Sequence, residues 1–185
     1  MRIVDVLWNT FLLRYYKVRV GDHFRCDGRM IIQGRGGKFS IGDNVHIISR
    51  ESLNPVGGNK TVLQSLEGGE ICIGNNVGLS HAILCARKSI TIEDNVLIGG
   101  GVKIYDNDFH AVEYEFRMEN PDTHIRKGPV LIKQGAFIGA HSIILKNVTI
   151  GSQSVVGAGS VVTKDIPDGE IWAGNPACKI GSIQK

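Results

Sequence analysis

The sequence predicts an all-β fold, a parallel β-helix, and three observations carry that prediction. Aliphatic residues stand at strict steps of six at Ile132, Ile138, Ile144, Ile150, Val156 and Val162. Glycine is 24 of the 185 residues while aromatics are 6%, the composition of a chain with many turns and few helices. No hairpin turn signal interrupts the stretch from Ile132 to Val162, as it would in a sandwich of similar period.

Each step of six has the same internal pattern. Glycine follows the aliphatic residue at Gly42, Gly74, Gly99, Gly139, Gly151 and Gly157, and small residues recur at Ala136, Ser142, Ser154 and Ser160. A short strand and a tight turn fit one such unit, and three units close a triangular coil of about 18 residues. The aliphatic side chain points inward and stacks on its counterpart about 4.8 Å away in the next coil. The small residue fits a corner, and glycine or asparagine is expected where the turn needs unusual backbone angles. Coils expose open strand edges, so they must stack to pair their backbone groups. In the first half the repeat is marked by Ile41-Gly-Asp-Asn-Val45, Ile73-Gly-Asn-Asn-Val77 and Ile92-Glu-Asp-Asn-Val96.

Two segments break the period. Residues 54–70 read as a turn-rich excursion or an irregular coil. Residues 106–128 are polar and aromatic, and the repeat restarts at Val130. One long loop on a regular scaffold is the place to expect function. Residues 1–20 are expected to form a helical cap, with Ile3, Val6, Leu7, Phe11 and Arg14 at helical spacing. Its apolar run is broken by Asp5, carries no small-residue cleavage site and is too short to span a bilayer. A cap is therefore preferred to membrane contact. The helix domain is placed at 21–180 and a tail at 181–185.

Charge and cysteines narrow the class. The net charge is +3 without a long Lys/Arg run, so no nucleic-acid partner is expected. Cys26, Cys72, Cys85 and Cys178 form no CxxC pair and are widely spaced. Free thiols in a reducing cytoplasm are the expectation, with no metal.

The repeat, the segment Ile104-Tyr-Asp-Asn-Asp-Phe-His110 and the closing Val156-Gly-Ala-Gly-Ser-Val-Val-Thr-Lys-Asp-Ile-Pro167 and Trp172-Ala-Gly-Asn-Pro-Ala-Cys-Lys-Ile180 resemble the hexapeptide-repeat acyltransferases. The likeness covers roughly residues 20–180. Within the family, the loop is similar to that of sugar O-acetyltransferases related to the galactoside and maltose acetyltransferases. The resemblance implies a left-handed winding, a homotrimer with each site shared by two chains, and acetyl-CoA as acyl donor to a sugar hydroxyl. It implies that His110 is the catalytic base. A hydroxyl is a poor nucleophile at neutral pH, and an imidazole can take its proton as it attacks the thioester. A carboxylate would fix the imidazole tautomer. Asp106, Asp108, Glu113 and Glu115 are open for that task, with Asp108 set beside His110 and Asp106 assigned to the acceptor. Ser80 and His81 lie where relatives hold the acceptor. The resemblance places Ala140 and Ala158 at the pantetheine, with His141 near it, and Thr163, Lys164 and Lys179 near the adenosine and its phosphates. Some relatives carry arginine just past the position of Lys179, where this chain has Gly181-Ser182.

Two other classes fit the sequence less well. A γ-type carbonic anhydrase would need a third zinc-ligating histidine five residues after His110, where Glu115 stands. A non-catalytic β-helix scaffold leaves the long loop and the CoA-type closing segment without a purpose.

Overall fold

The computed structural model describes residues 2–34 and 36–183, so Met1 and the end of the expected tail, Gln184 and Lys185, lie outside the described residues. The helix α1 (Ile3–Tyr15) precedes six coils of three strands each. The first coil is β1 (Arg19–Val20), β2 (Arg25–Gly28) and β3 (Ile31–Gln33). The second is β4 (Lys38–Ile41), β5 (His46–Ser49) and β6 (Val62–Ser65). The third is β7 (Glu70–Ile73), β8 (Gly78–Ser80) and β9 (Ile83–Ala86). The fourth is β10 (Ser89–Ile92), β11 (Leu97–Ile98) and β12 (Lys103–Tyr105), followed by a long loop with the short helix α2 (Tyr114–Glu119). The fifth is β13 (Val130–Ile132), β14 (Phe137–Ile138) and β15 (Ile143–Ile144), and the sixth is β16 (Thr149–Ile150), β17 (Val155–Val156) and β18 (Val161–Val162). The antiparallel pair β19 (Glu170–Gly174) and β20 (Ala177–Ser182) closes the stack.

The coils form three parallel sheets. The first begins at β1, the second at β2 and the third at β3, and each takes one strand from every coil. This is the left-handed parallel β-helix that the repeat and its family likeness lead one to expect. Register makes the core. Ile41, Ile73, Ile92, Ile132 and Ile150 stack along the first sheet. Ile47, Leu79, Ile98, Ile138 and Val156 stack along the second. Ile32, Leu63, Leu84, Ile104, Ile144 and Val162 stack along the third. All of these side chains are buried. Each removes a full aliphatic surface from water, worth about 1.5–3 kcal/mol.

The corners explain the rest of the repeat. Ala136, Ser142, Ser154 and Ser160 are buried, and the serine hydroxyls donate to carbonyls, Ser142 and Ser160 to Gly157 and Ser154 to Pro167. At the corner after the first sheet, left-handed backbone angles fall on asparagine in three successive coils, at Asn44 (φ 56°), Asn76 (55°) and Asn95 (61°). Their side-chain amides form a ladder, Asn44 to Asn76 and Asn76 to Asn95, at 3.1 Å each. The glycines after the aliphatic residues have a different reason from the one expected. Gly139 has no positive φ, but a Cβ there would stand 2.5 Å from the Ala158 backbone N. Successive coils approach too closely there for a side chain.

Two expectations need correction. Within 54–70, only part is irregular: β6 occupies Val62–Ser65 as a regular third-sheet strand, with Leu63 in the core. The excursion is residues 50–61. The helix domain also runs past 180, since β20 continues to Ser182.

The N-terminal segment is a helical cap, but its apolar face is not the one that packs. Asp5, Asn9 and Leu12 are its buried residues. Asn9 donates to the Gly28 carbonyl (2.8 Å) and accepts from the Met30 N–H (3.1 Å). Asp5 pairs with Arg50 (2.7 Å) and Arg29 (3.1 Å), and the Arg50 hydrogen bond, with help from Arg29, holds its carboxyl below the ordinary range. Polar tertiary anchors, not helical periodicity, set the face.

The ladder makes a direct prediction. Ile138→Ala removes a mid-stack rung, and unfolding in urea is expected to show a loss of about 2–5 kcal/mol. A change under about 1 kcal/mol would mean that the stacked aliphatics do not carry the core.

Candidate active site

The long loop leaves the corner after β12 and is pinned by Asp106. That carboxylate is fully buried and accepts the backbone N–H groups of Arg87 (2.7 Å) and Lys88 (2.6 Å) and the Asn107 side-chain amide (3.0 Å). Backbone bonds then zip the two ends of the loop together, Asp108 N to the Arg126 carbonyl and Gly128 N to the Asp106 carbonyl. Asn107 accepts from the Phe109 N–H, and Tyr105 meets the Phe109 ring edge-on at 5.1 Å. Farther out, Phe116 stacks on His124 at 3.9 Å, and Glu113 pairs with Arg126. The Arg126 hydrogen bond holds the Glu113 carboxyl below its ordinary range. A stem tied in this way fixes where His110 emerges.

His110 stands out from that stem, its side chain 61% exposed. The carboxylate nearest its Nδ1 is Asp122, at 3.9 Å. Asp108, expected beside the imidazole, instead pairs with Lys146 at 2.5 Å. Asp106, expected at the acceptor, is turned into the fold and fully engaged by the N–H groups of the preceding coil. Both Asp122 and Lys146 escaped the sequence reading. Lys146 was recoverable: Ile104 pairs with Ile144, so the coil register puts position 146 beneath the root of the loop.

Ser80, His81, Ala140 and Ala158 lie at a different corner, the one between the second and third sheets. His81 (φ 50°) and His141 (φ 60°) turn that corner in coils three and five. Ala158 is exposed and Ala140 half-buried. Ser80 is buried and accepts from the Asn54 amide at 2.8 Å, and His81 is buried with Nδ1 on the Asn59 carbonyl. The 50–61 excursion therefore covers this corner of the third coil. Gly57 packs on the His81 ring so tightly that a Cβ would overlap it.

Thr163 and Lys164 follow β18 and sit exposed at the same corner as the root of the long loop. The site residues thus fall into two sets, one with His110, Thr163 and Lys164, the other with Ser80, His81, Ala140 and Ala158. One face of the triangle, roughly 15–20 Å of extended chain, separates the two corners. Lys179 belongs to neither set. It pairs with Glu170 at 2.6 Å, and Glu170 also accepts from the Trp172 indole at 2.7 Å. Those two hydrogen bonds, Lys179 first, hold the Glu170 carboxyl below its usual range.

Burial pushes the Cys26 thiol up to about 12 and the Cys85 thiol up to about 11. Neither is a thiolate at neutral pH, so neither is a nucleophile.

With this geometry in place, the comparisons with known proteins are specific. The model of the bacterial transferase hexapeptide (six repeats) matches residues 129–164, the fifth and sixth coils. The galactoside O-acetyltransferase of Escherichia coli is 38% identical over 114 residues, 61% of this chain and 54% of that protein. The chain spans about half the length of the curated relatives it matches. A solved galactoside acetyltransferase in complex with coenzyme A overlays with a TM-score of 0.64 at 25% identity, covering 100% of this chain and 74% of that one. A variant of AntD, an N-acyltransferase from Bacillus cereus solved with dTDP and coenzyme A, gives 0.72 at 26% identity over 95% and 89%. Residues 129–164 thus carry the bacterial transferase hexapeptide repeat, and the chain as a whole is similar to acyltransferases built on that repeat.

The role of Asp106 is open to test. Asp106→Ala removes the acceptor of the part-buried Arg87 and Lys88 N–H groups, a loss of about 1–3 kcal/mol in all. Hydrogen exchange should speed up across 106–128 and at residues 87–88, with the first sheet little changed. Unaltered exchange in the loop would remove Asp106 as its anchor.

Proposed function

We propose that the protein is an acetyl-CoA-dependent O-acetyltransferase whose acceptor is a hydroxyl of a small molecule, a sugar or polysaccharide precursor, and that each site is built by two chains of a homotrimer. The observation that carries this reading is the division of the site residues between two corners of one coil stack. A base on one corner and a narrow, small-residue edge on the other cannot meet within a chain. Three stacks side by side would bring the loop of one against the Ala140–Ala158 edge of the next. Leu97 and Phe137, exposed and stacked on the outer face of the second sheet, suit such packing.

In the proposed reaction His110 accepts the acceptor's hydroxyl proton as its oxygen attacks the thioester carbonyl. The tetrahedral oxyanion is met by backbone N–H groups. It collapses to the ester, and CoA leaves as a thiolate that takes the proton back from the imidazolium. Asp122 is the carboxylate that orients His110, while the Asp108–Lys146 pair holds the loop root in place. Ser80 and His81 form the floor of the acceptor side. Ala140 and Ala158 leave room for the pantetheine arm, and Thr163 and Lys164, unpaired among the described residues, face its phosphates. Lys179 is held back by Glu170 and plays a lesser part. The coenzyme A in both solved relatives supports the donor, and the galactoside named for one of them supports a sugar acceptor. Among the described residues all four cysteines are free, which suits the cytoplasm, where acetyl-CoA is found.

A thiol-release assay with acetyl-CoA against sugars and nucleotide-sugars tests the reading. His110→Ala should fold and assemble normally but lose at least ~10²-fold in turnover. Lys164→Ala should raise KM for acetyl-CoA and leave kcat near wild type. Unchanged turnover in the histidine variant would remove its role as base.

A further inference from the structure

The helix α1 is apolar around much of its circumference and leaves a broad apolar face uncovered. Its buried side holds the bonded polar residues Asp5 and Asn9 together with Leu12. Its outer side presents Ile3, Val4, Leu7, Trp8, Phe11 and Tyr15, with exposures from 43% at Trp8 to 78% at Ile3. Six large apolar side chains on one 13-residue helix are far more than scattered surface hydrophobics require.

The position of the helix matters as much as its face. It packs on β2 and β3, and Leu12, with Leu13 and Tyr16 beside it, plugs the open first coil. The apolar face therefore lies at one end of the stack. Packing along the flanks, as the two-chain site requires, leaves that end uncovered.

The exposed charges at the C-terminal end of the helix and just past it are of one sign. Arg14, Lys17 and Arg19 are exposed at the C-terminal end of the helix and just beyond it. They stand apart from the ion pairs of this region, Asp5–Arg29, Asp5–Arg50, Arg25–Asp27 and Lys38–Glu70. The one acidic residue of the helix, Asp5, is turned inward and neutralised. The next exposed carboxylates along the chain, Asp22 and Asp43, lie in the turns after the first sheet, beyond the cations, where Asp43 accepts the Asp22 N–H at 2.7 Å. Trp8 is anchored through its indole N–H to the Met30 carbonyl (3.2 Å) with its ring partly exposed, and the Arg29 guanidinium lies 5.8 Å from the ring centre. Apolar residues flanked by cations, with Trp and Tyr among them, are the composition of a helix that lies in a lipid–water interface.

We infer that α1 is a membrane-surface helix that docks this end of the β-helix on an anionic phospholipid bilayer. The apolar side chains enter the acyl boundary, and Arg14, Lys17 and Arg19 meet the headgroup phosphates. Polar anchors beneath the helix keep it folded and oriented before contact, so no ordering of the helix is needed on binding. The inference departs from the expectation of a cap without membrane contact, and it stands apart from the chemistry proposed at the corners.

Co-sedimentation of the full chain with vesicles tests it, using phosphatidylglycerol and phosphatidylcholine in equal parts against phosphatidylcholine alone. The wild type should pellet with the mixed vesicles, weakly with the neutral ones, and be released by added salt. Leu7→Asp with Phe11→Asp should lose at least ~10-fold in vesicle affinity while keeping its mass and melting temperature. Arg14→Gln with Lys17→Gln, which leaves the apolar face intact, should lose roughly five-fold for each cation removed. Failure of the wild type to bind mixed vesicles, or equal binding to neutral ones, would overturn the inference. So would full binding by either variant. A fall in assembly mass for the Leu7→Asp, Phe11→Asp chain would also overturn it, assigning the face to contacts between copies.

Discussion

Everything in this molecule hangs on the register of coil upon coil. Each inward aliphatic sits directly over its counterpart, so a residue's place in the repeat fixes both its face and its height. The cost of losing register is high, because a slip of one position would turn a whole rung of aliphatics outward and polar residues inward. Close approach at the corners tightens the constraint further. Gly139 has no room for a Cβ against Ala158, and Ser142, Ser154 and Ser160 fit only because their hydroxyls meet carbonyls of the same or next coil.

That rigidity is what makes a site possible on a fold without a deep cleft. Columns of equivalent positions run along each corner, and chemistry can be written into a column without disturbing the core. Two insertions use this freedom. The 106–128 loop is pinned by a buried carboxylate and lifts His110 away from the stack. The 50–61 excursion folds over Ser80 and His81 at another corner. The scaffold separates these by one triangle face, which is the reason the proposed site draws on two chains.

The periodic part of this arrangement was legible in the sequence, because an interior of stacked aliphatics leaves a six-residue signature wherever no insertion intervenes. The boundaries of the insertions were less so. Val62–Ser65 is a regular strand hidden among Gly-Gly and charged residues that look like a loop, with Leu63 its only fully inward aliphatic. His110 stood out by its motif, but its neighbours did not. Asp108 is two residues away and turns to Lys146, whereas Asp122 is twelve away and returns through α2. Proximity in the chain is a poor guide inside a loop tied at its stem. The face of α1 was unreadable for a related reason: helical spacing identifies an apolar stripe, but only the partners Gly28, Met30, Arg29 and Arg50 decide which side is held.

The central claim is that the two corners act together across chains, and mixed assembly measures it most directly. One chain would carry His110→Ala with an open edge, the other an intact His110 with the edge blocked by Ala158→Trp. Each alone should be inactive. Refolded together in equal amounts, they should recover about a quarter of wild-type turnover, since only junctions that join an intact loop to an open edge can work. Mixed assemblies that form but stay as inactive as the separate chains would show that the site lies within one chain, contrary to the account given.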